Sequence, residues 1–171
     1  MLAAAWRTGQ TLYGLVRFEA GPQSLPASIS FLSLSLLFYG LAEYGLASLR
    51  HGANASFLAA LIAVILLALL TAAGLLLAGR SSRIVQTLSA LAAAGVLVNC
   101  SRLVLQLLLG AAVPVAKLTA FLLFPLLVWH FLICAHVYRQ ALARGSIHSL
   151  GLAFAYVFSL IALRMSLNVW A

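Results

Sequence analysis

Five apolar runs, each near the length a helix needs to cross roughly 30 Å of hydrocarbon, fill almost everything after residue 26. The runs are Ala27–Leu49, Ala55–Gly79, Gln86–Gly110, Leu118–Leu142 and Ser149–Trp170. Only the short connectors "RHGAN", "RSSR", "AAVPVAK" and "ARGSI" separate them, and the turn formers and charges gather there. None of these connectors is long enough to house a soluble domain. In lipid, a lone segment must satisfy its own backbone N–H and C=O groups, which selects helices. The expected fold is therefore all-α, a polytopic membrane protein with a five-transmembrane-helix bundle over residues 27–171, preceded by a short N-terminal segment over residues 1–26.

Composition enters as a check. With 65% hydrophobic and 7% charged residues the chain lies far from soluble averages. The formal charge of +8 would elsewhere suggest nucleic-acid binding, but these basic residues punctuate apolar runs, so no nucleic-acid partner is expected. Cys100 and Cys134 fall inside apolar runs, where cysteine behaves as a small hydrophobe and a disulfide is not expected.

Positive charge in short loops sets orientation. Five spans place Arg7, Arg17, Arg80, Arg83, Arg139 and Arg144 on one side and Arg50 and Lys117 on the other. The N-terminus is thus expected in the cytoplasm and the C-terminus on the far side of the membrane. Merging or losing a span would spoil that separation. The first residues lack the basic start and compact apolar core of a secretory signal, so the N-terminus is expected to be retained. Leu2, Trp6, Tyr13 and Val16 recur there at helical spacing, which predicts an interfacial helix on the cytoplasmic leaflet, ended by "GPQSLP".

The polar residues inside the spans carry the functional question. Gly95, Asn99, Arg102 and Gln106 form one stripe on span three; Tyr39 and Glu43 lie four apart on span one; Tyr156, Arg164 and Asn168 line span five at multiples of four. A charge at the centre of a membrane helix costs about 2.5 to 3.5 kcal/mol, so these faces should be buried against one another. At about 1.5 Å rise per residue, Glu43, Arg102 and Arg164 all fall roughly 9 to 12 Å beneath the same boundary. Glu43 is expected to accept hydrogen bonds from both guanidinium groups. One consequence is structural, a cluster that fixes helix register. The other follows from arithmetic: two arginines against one glutamate leave a surplus positive charge, able to hold an anionic lipid headgroup or a small anion.

Span two has no charged or strongly polar residue and reads as the most lipid-exposed, with Gly74 and Ala78 as a small-residue contact pair. Span four contains Pro125, expected to kink the helix and to serve as a hinge, followed by Trp129, His130, Cys134 and His136. His130 is a candidate proton relay or simply a histidine bonded to a neighbouring helix. No metal site is expected, because His130 and His136 point different ways and further ligands are lacking. The sequence holds no phosphate-cradling glycine loop, no "HExxH" and no nucleophile elbow, and Glu43 has no second intramembrane carboxylate. No catalytic residues and no cofactor are expected.

Three stretches, "LVRFEAGPQSLPAS", "SRIVQTLSALAAAGVLVN" and "WHFLICAHVYRQALARGSIHSLGLAFAYV", together resemble small bacterial inner-membrane proteins of the Yip1-like group. The resemblance implies a five-span bundle in the bacterial inner (cytoplasmic) membrane with a cytoplasmic N-terminus, which with five spans makes the C-terminus periplasmic. It brings no catalytic residue set, and where eukaryotic relatives with Rab GTPase partners bear a long hydrophilic N-terminal region, this chain has a short one. The expectation is a non-enzymatic membrane-organising or assembly factor whose partners are membrane lipids, other membrane proteins or further copies of itself. Competing expectations are a small permease or transporter subunit using the Glu43, Arg102 and Arg164 cluster, and an intramembrane lipid-modifying enzyme.

Overall fold

The computed structural model describes residues 2–112, 116–143 and 146–169, though not the side chains of 2–5, 7, 110–112, 116–120, 146 and 167–169. Asn168, Arg7, Lys117 and Arg144 therefore lie outside the described side chains. Six α-helices follow one another: α1 Leu2–Val16, α2 Ile29–Ser48, α3 Ala53–Leu77, α4 Ile84–Ala112, α5 Ala116–Leu142 and α6 Ser146–Val169. The last five carry stretches long and apolar enough to span a bilayer, and the protein is a multi-pass helical membrane protein.

Local chemistry sets the ends. Ser28 caps α2, its hydroxyl accepting from the Phe31 amide at 3.4 Å, so the helix starts just after the expected Ala27. α3 stops at Leu77 because Gly79 takes φ +69°, letting the Arg80 amide reach the Leu75 carbonyl at 2.8 Å and the Gly79 amide reach Leu76 at 2.9 Å. α5 continues on both sides of Pro125, which faces outward.

The five spanning helices form a ring in the order α2, α4, α5, α6, α3, with α4 also meeting α3 across it. α4 is the most buried, half of its spanning window lying inside, because Ala90, Ala92 and Ala94 let neighbours approach closely. Gly95 belongs to the same run: a β-carbon there would sit 2.8 Å from the Tyr39 ring. On α3, Ala60, Ala63, Leu67, Thr71 and Leu75 make a buried stripe, and Thr71 meets the Tyr138 hydroxyl at 2.9 Å. The stripe leaves α3 and α2 buried to a similar extent, 28% and 22% of their spanning stretches, so α3 does not stand apart as the most lipid-exposed span. Gly74 does act as a contact point, because a methyl group there would collide with Leu152 of α6.

The N-terminal helix docks more firmly than an interfacial helix needs to. Trp6 and Tyr13 face outward, but Leu15 and Val16 enter the core, so Val16 does not share the aromatic face expected for it. Side chains from the bundle hold the following turn. Trp129 Nε1 donates to the Val16 carbonyl at 3.3 Å, His136 Nε2 lies 3.0 Å from the Ala20 carbonyl, and Gln86 Nε2 donates to the Leu25 carbonyl at 3.0 Å. Arg83 closes the same end by donating to the carbonyls of Gln140 and Ala141 at 3.0 and 3.1 Å.

Candidate functional site: a polar cluster inside the bundle

The helix spacing that places Tyr39 and Glu43 on one face of α2 turns both into the ring. Facing them are Asn99 and Arg102, one turn apart on α4, and Tyr156 and Arg164, two turns apart on α6. Glu43 is 5% exposed, and a lone carboxylate there would be costly. It is fully engaged instead: Asn99 Nδ2 donates to Oε1 at 2.8 Å, and Arg164 Nη2 donates to Oε1 at 2.9 Å and Oε2 at 2.8 Å. Charge-assisted bonds of this length are the strong class.

Arg102 does not do what spacing alone suggests. It makes no direct ion pair with Glu43; its Nη1 reaches the Asn99 carbonyl oxygen at 3.5 Å. Asn99 therefore stands between acid and base, one end of its amide satisfying each. Since α4 presents Asn99 one turn ahead of Arg102, the shorter side chain fills the space beside Glu43 and the longer one is displaced outward.

A turn toward the α1 end, the Tyr39 and Tyr156 hydroxyls share a hydrogen bond of 2.8 Å, joining α2 to α6 across the ring. Buried phenols need such partners, and here each is the other's. His130 of α5 is buried beside this pair, its ring meeting Tyr156 edge-on with centroids 6.0 Å apart. Gln106, two turns beyond Asn99, is half-buried and has no hydrogen bond to the described cluster residues. Pro125 lies on the outward face of α5, away from the packed interior that holds His130.

Next to the cluster a groove opens sideways between α4, α5 and α6. Its cavity is ≈ 240 Å³, with Arg102 and Arg164 at one wall and Leu123, Phe124, Leu127 and Ile161 among the remaining lining. The Glu43 charge neutralises one guanidinium, and the surplus positive charge is that of Arg102. Among the described residues no three His, Cys, Asp or Glu side chains lie together as metal ligands would.

Sequence spacing did not reveal the role of Asn99 as the link, nor the Thr71–Tyr138 bond. A tyrosine within an apolar span was the available signal for the latter, because its hydroxyl must find a partner. The groove had no sequence signal, since its apolar wall resembles every other apolar face. No family model, curated protein or solved structure matches this chain.

Proposed function

We propose that this is a non-enzymatic inner-membrane protein that organises or helps assemble other membrane components, with its N-terminus in the cytoplasm. The observation that carries the reading is the closure of the intramembrane cluster. Both Glu43 oxygens are occupied by Asn99 and Arg164, and the one surplus charge, on Arg102, faces a lateral groove. Such a cluster fixes helix register and directs its remaining chemistry toward the surrounding membrane. The resemblance to Yip1-like proteins and the surplus of basic residues on the α1 side point the same way.

The transport reading differs in a measurable respect, because a carrier must open its binding cluster alternately to each side. The protein reconstituted in vesicles loaded with pH-sensitive and halide-sensitive dyes should give fluxes no higher than protein-free vesicles. Photo-crosslinking amino acids placed at outward-facing Phe57, Phe121 and Phe158 in cells should yield a protein adduct of fixed mass from one face. Flux abolished by Glu43→Gln, together with lipid adducts alone at all three positions, would overturn the organising role in favour of transport.

A further inference from the structure

The groove beside Arg102 has two unlike halves. One wall presents a guanidinium pair carrying a net positive charge once Glu43 is counted, and the rest is apolar. Among the described residues Arg102 has one long hydrogen bond, to Asn99 at 3.5 Å, which leaves most of its donor fork uncommitted to them. The lining also includes outward-facing apolar side chains, with Phe124 61% and Met165 65% exposed. We propose that this groove binds one anionic phospholipid, its headgroup phosphate bidentate on Arg102 and its acyl chains leaving through the apolar mouth of the groove into the bilayer. This deepens the organising role by naming the membrane component that the cluster engages.

Charge complementarity selects the occupant. A neutral or zwitterionic headgroup would leave the surplus charge uncompensated, whereas one phosphate with a net negative charge balances it and matches the planar donor fork. Hydrocarbon around the mouth selects a lipid over a free anion. An anion arriving from water would have to cross apolar surface, while a lipid phosphate is delivered from the adjoining leaflet with its chains already in place.

The test uses the whole protein in nanodiscs made of equal parts phosphatidylglycerol and phosphatidylcholine, released and weighed by native mass spectrometry. Wild type should retain one phosphatidylglycerol in preference to phosphatidylcholine. Arg102→Gln should lower that retention about tenfold, the scale of one lost charge-assisted contact. Leu127→Trp, which fills the groove and keeps both arginines, should lower it similarly and guards against a folding defect in the first variant. Arg139→Gln, an exposed change at the opposite end of the bundle, should leave it intact. Equal retention in wild type and both groove variants, or equal loss in the Arg139 control, would overturn the site. Displacement of the lipid by excess inorganic phosphate would overturn the lipid as occupant in favour of a small anion. Failure here leaves the flux and crosslinking outcomes untouched, so the two readings fail separately.

Discussion

Asn99 stands between Glu43 and Arg102, donating to the carboxylate through Nδ2 at 2.8 Å and accepting from the guanidinium through Oδ1 at 3.5 Å. The acid's direct ionic partner is Arg164 on α6, with Nη2–Oε2 at 2.8 Å. The two arginines are therefore unequal, and their removal should have unequal effects.

Breaking the Glu43–Arg164 pair from either end leaves a charge in a low-dielectric interior. Glu43→Leu and Arg164→Leu should each cost about 3 kcal/mol, the low end for buried pairs because Arg164 keeps partial access to the surface. Arg102→Leu should cost no more than about 1 kcal/mol, the value of one ordinary hydrogen bond. The double change Glu43→Leu with Arg164→Leu should recover at least about 1 kcal/mol relative to additivity. Thermal unfolding and folded yield in detergent measure the set. Equal damage from the two arginine changes would contradict the geometry.

Close approach of α2 and α4 depends on Gly95. Its missing side chain admits the Tyr39 ring, and an added β-carbon would lie 2.8 Å from two ring atoms. Tyr39 cannot swing away without losing its bond to Tyr156. Gly95→Ala should therefore destabilise by about 1 to 3 kcal/mol, the range for overpacking. Gly45→Ala is the comparison: its β-carbon would meet Leu103 at an ordinary 3.6 Å, and its melting temperature should stay near wild type.

Much of this was legible in the sequence because membrane helices obey few rules strongly. Span count followed from run length, and convergence of Tyr39, Glu43, Asn99, Arg102 and Arg164 followed from helical spacing and matched depth. Pairing was not legible. Spacing puts Asn99 and Arg102 on one face without saying which reaches Glu43, since that depends on side-chain length and on the offset between α2 and α4. Docking of α1 was hidden for a related reason: Trp129, His136 and Gln86 reach backbone carbonyls, and a carbonyl acceptor has no residue identity to read.

Orientation gives a separate test. Arg17, Arg80, Arg83 and Arg139 lie at the α1 end of the bundle and Arg50 at the other. The α1 end is expected in the cytoplasm. Reporters inserted within "RSSR" and fused after Ala171 should be active on opposite sides of the membrane. Activity on the same side would reject five crossings.

The last prediction concerns Phe18, which adopts φ +66° where glycine is the usual choice. It terminates α1 as Gly79 terminates α3: the Glu19 amide reaches the Gly14 carbonyl at 2.8 Å and the Phe18 amide reaches Leu15 at 3.1 Å. A bulky residue in this region carries about 1 to 2 kcal/mol of backbone strain. The compensation is visible, for the Phe18 ring meets His136 edge-on at 5.6 Å and His136 in turn lies within hydrogen-bond distance of the Ala20 carbonyl. Backbone and side chain thus make opposing contributions that two substitutions separate. Phe18→Ala loses the ring contact and keeps the strain, whereas Phe18→Gly loses the same contact and relieves it. The glycine variant should be more stable than the alanine variant by about 1 kcal/mol, the reverse of the order expected within a helix. Thermal melting of the two variants, with protease cleavage after Arg17 as a local probe of the turn, reads the difference. Alanine equal to or better than glycine would mean that residue 18 is not held in the left-handed region and that the α1 turn has a different geometry.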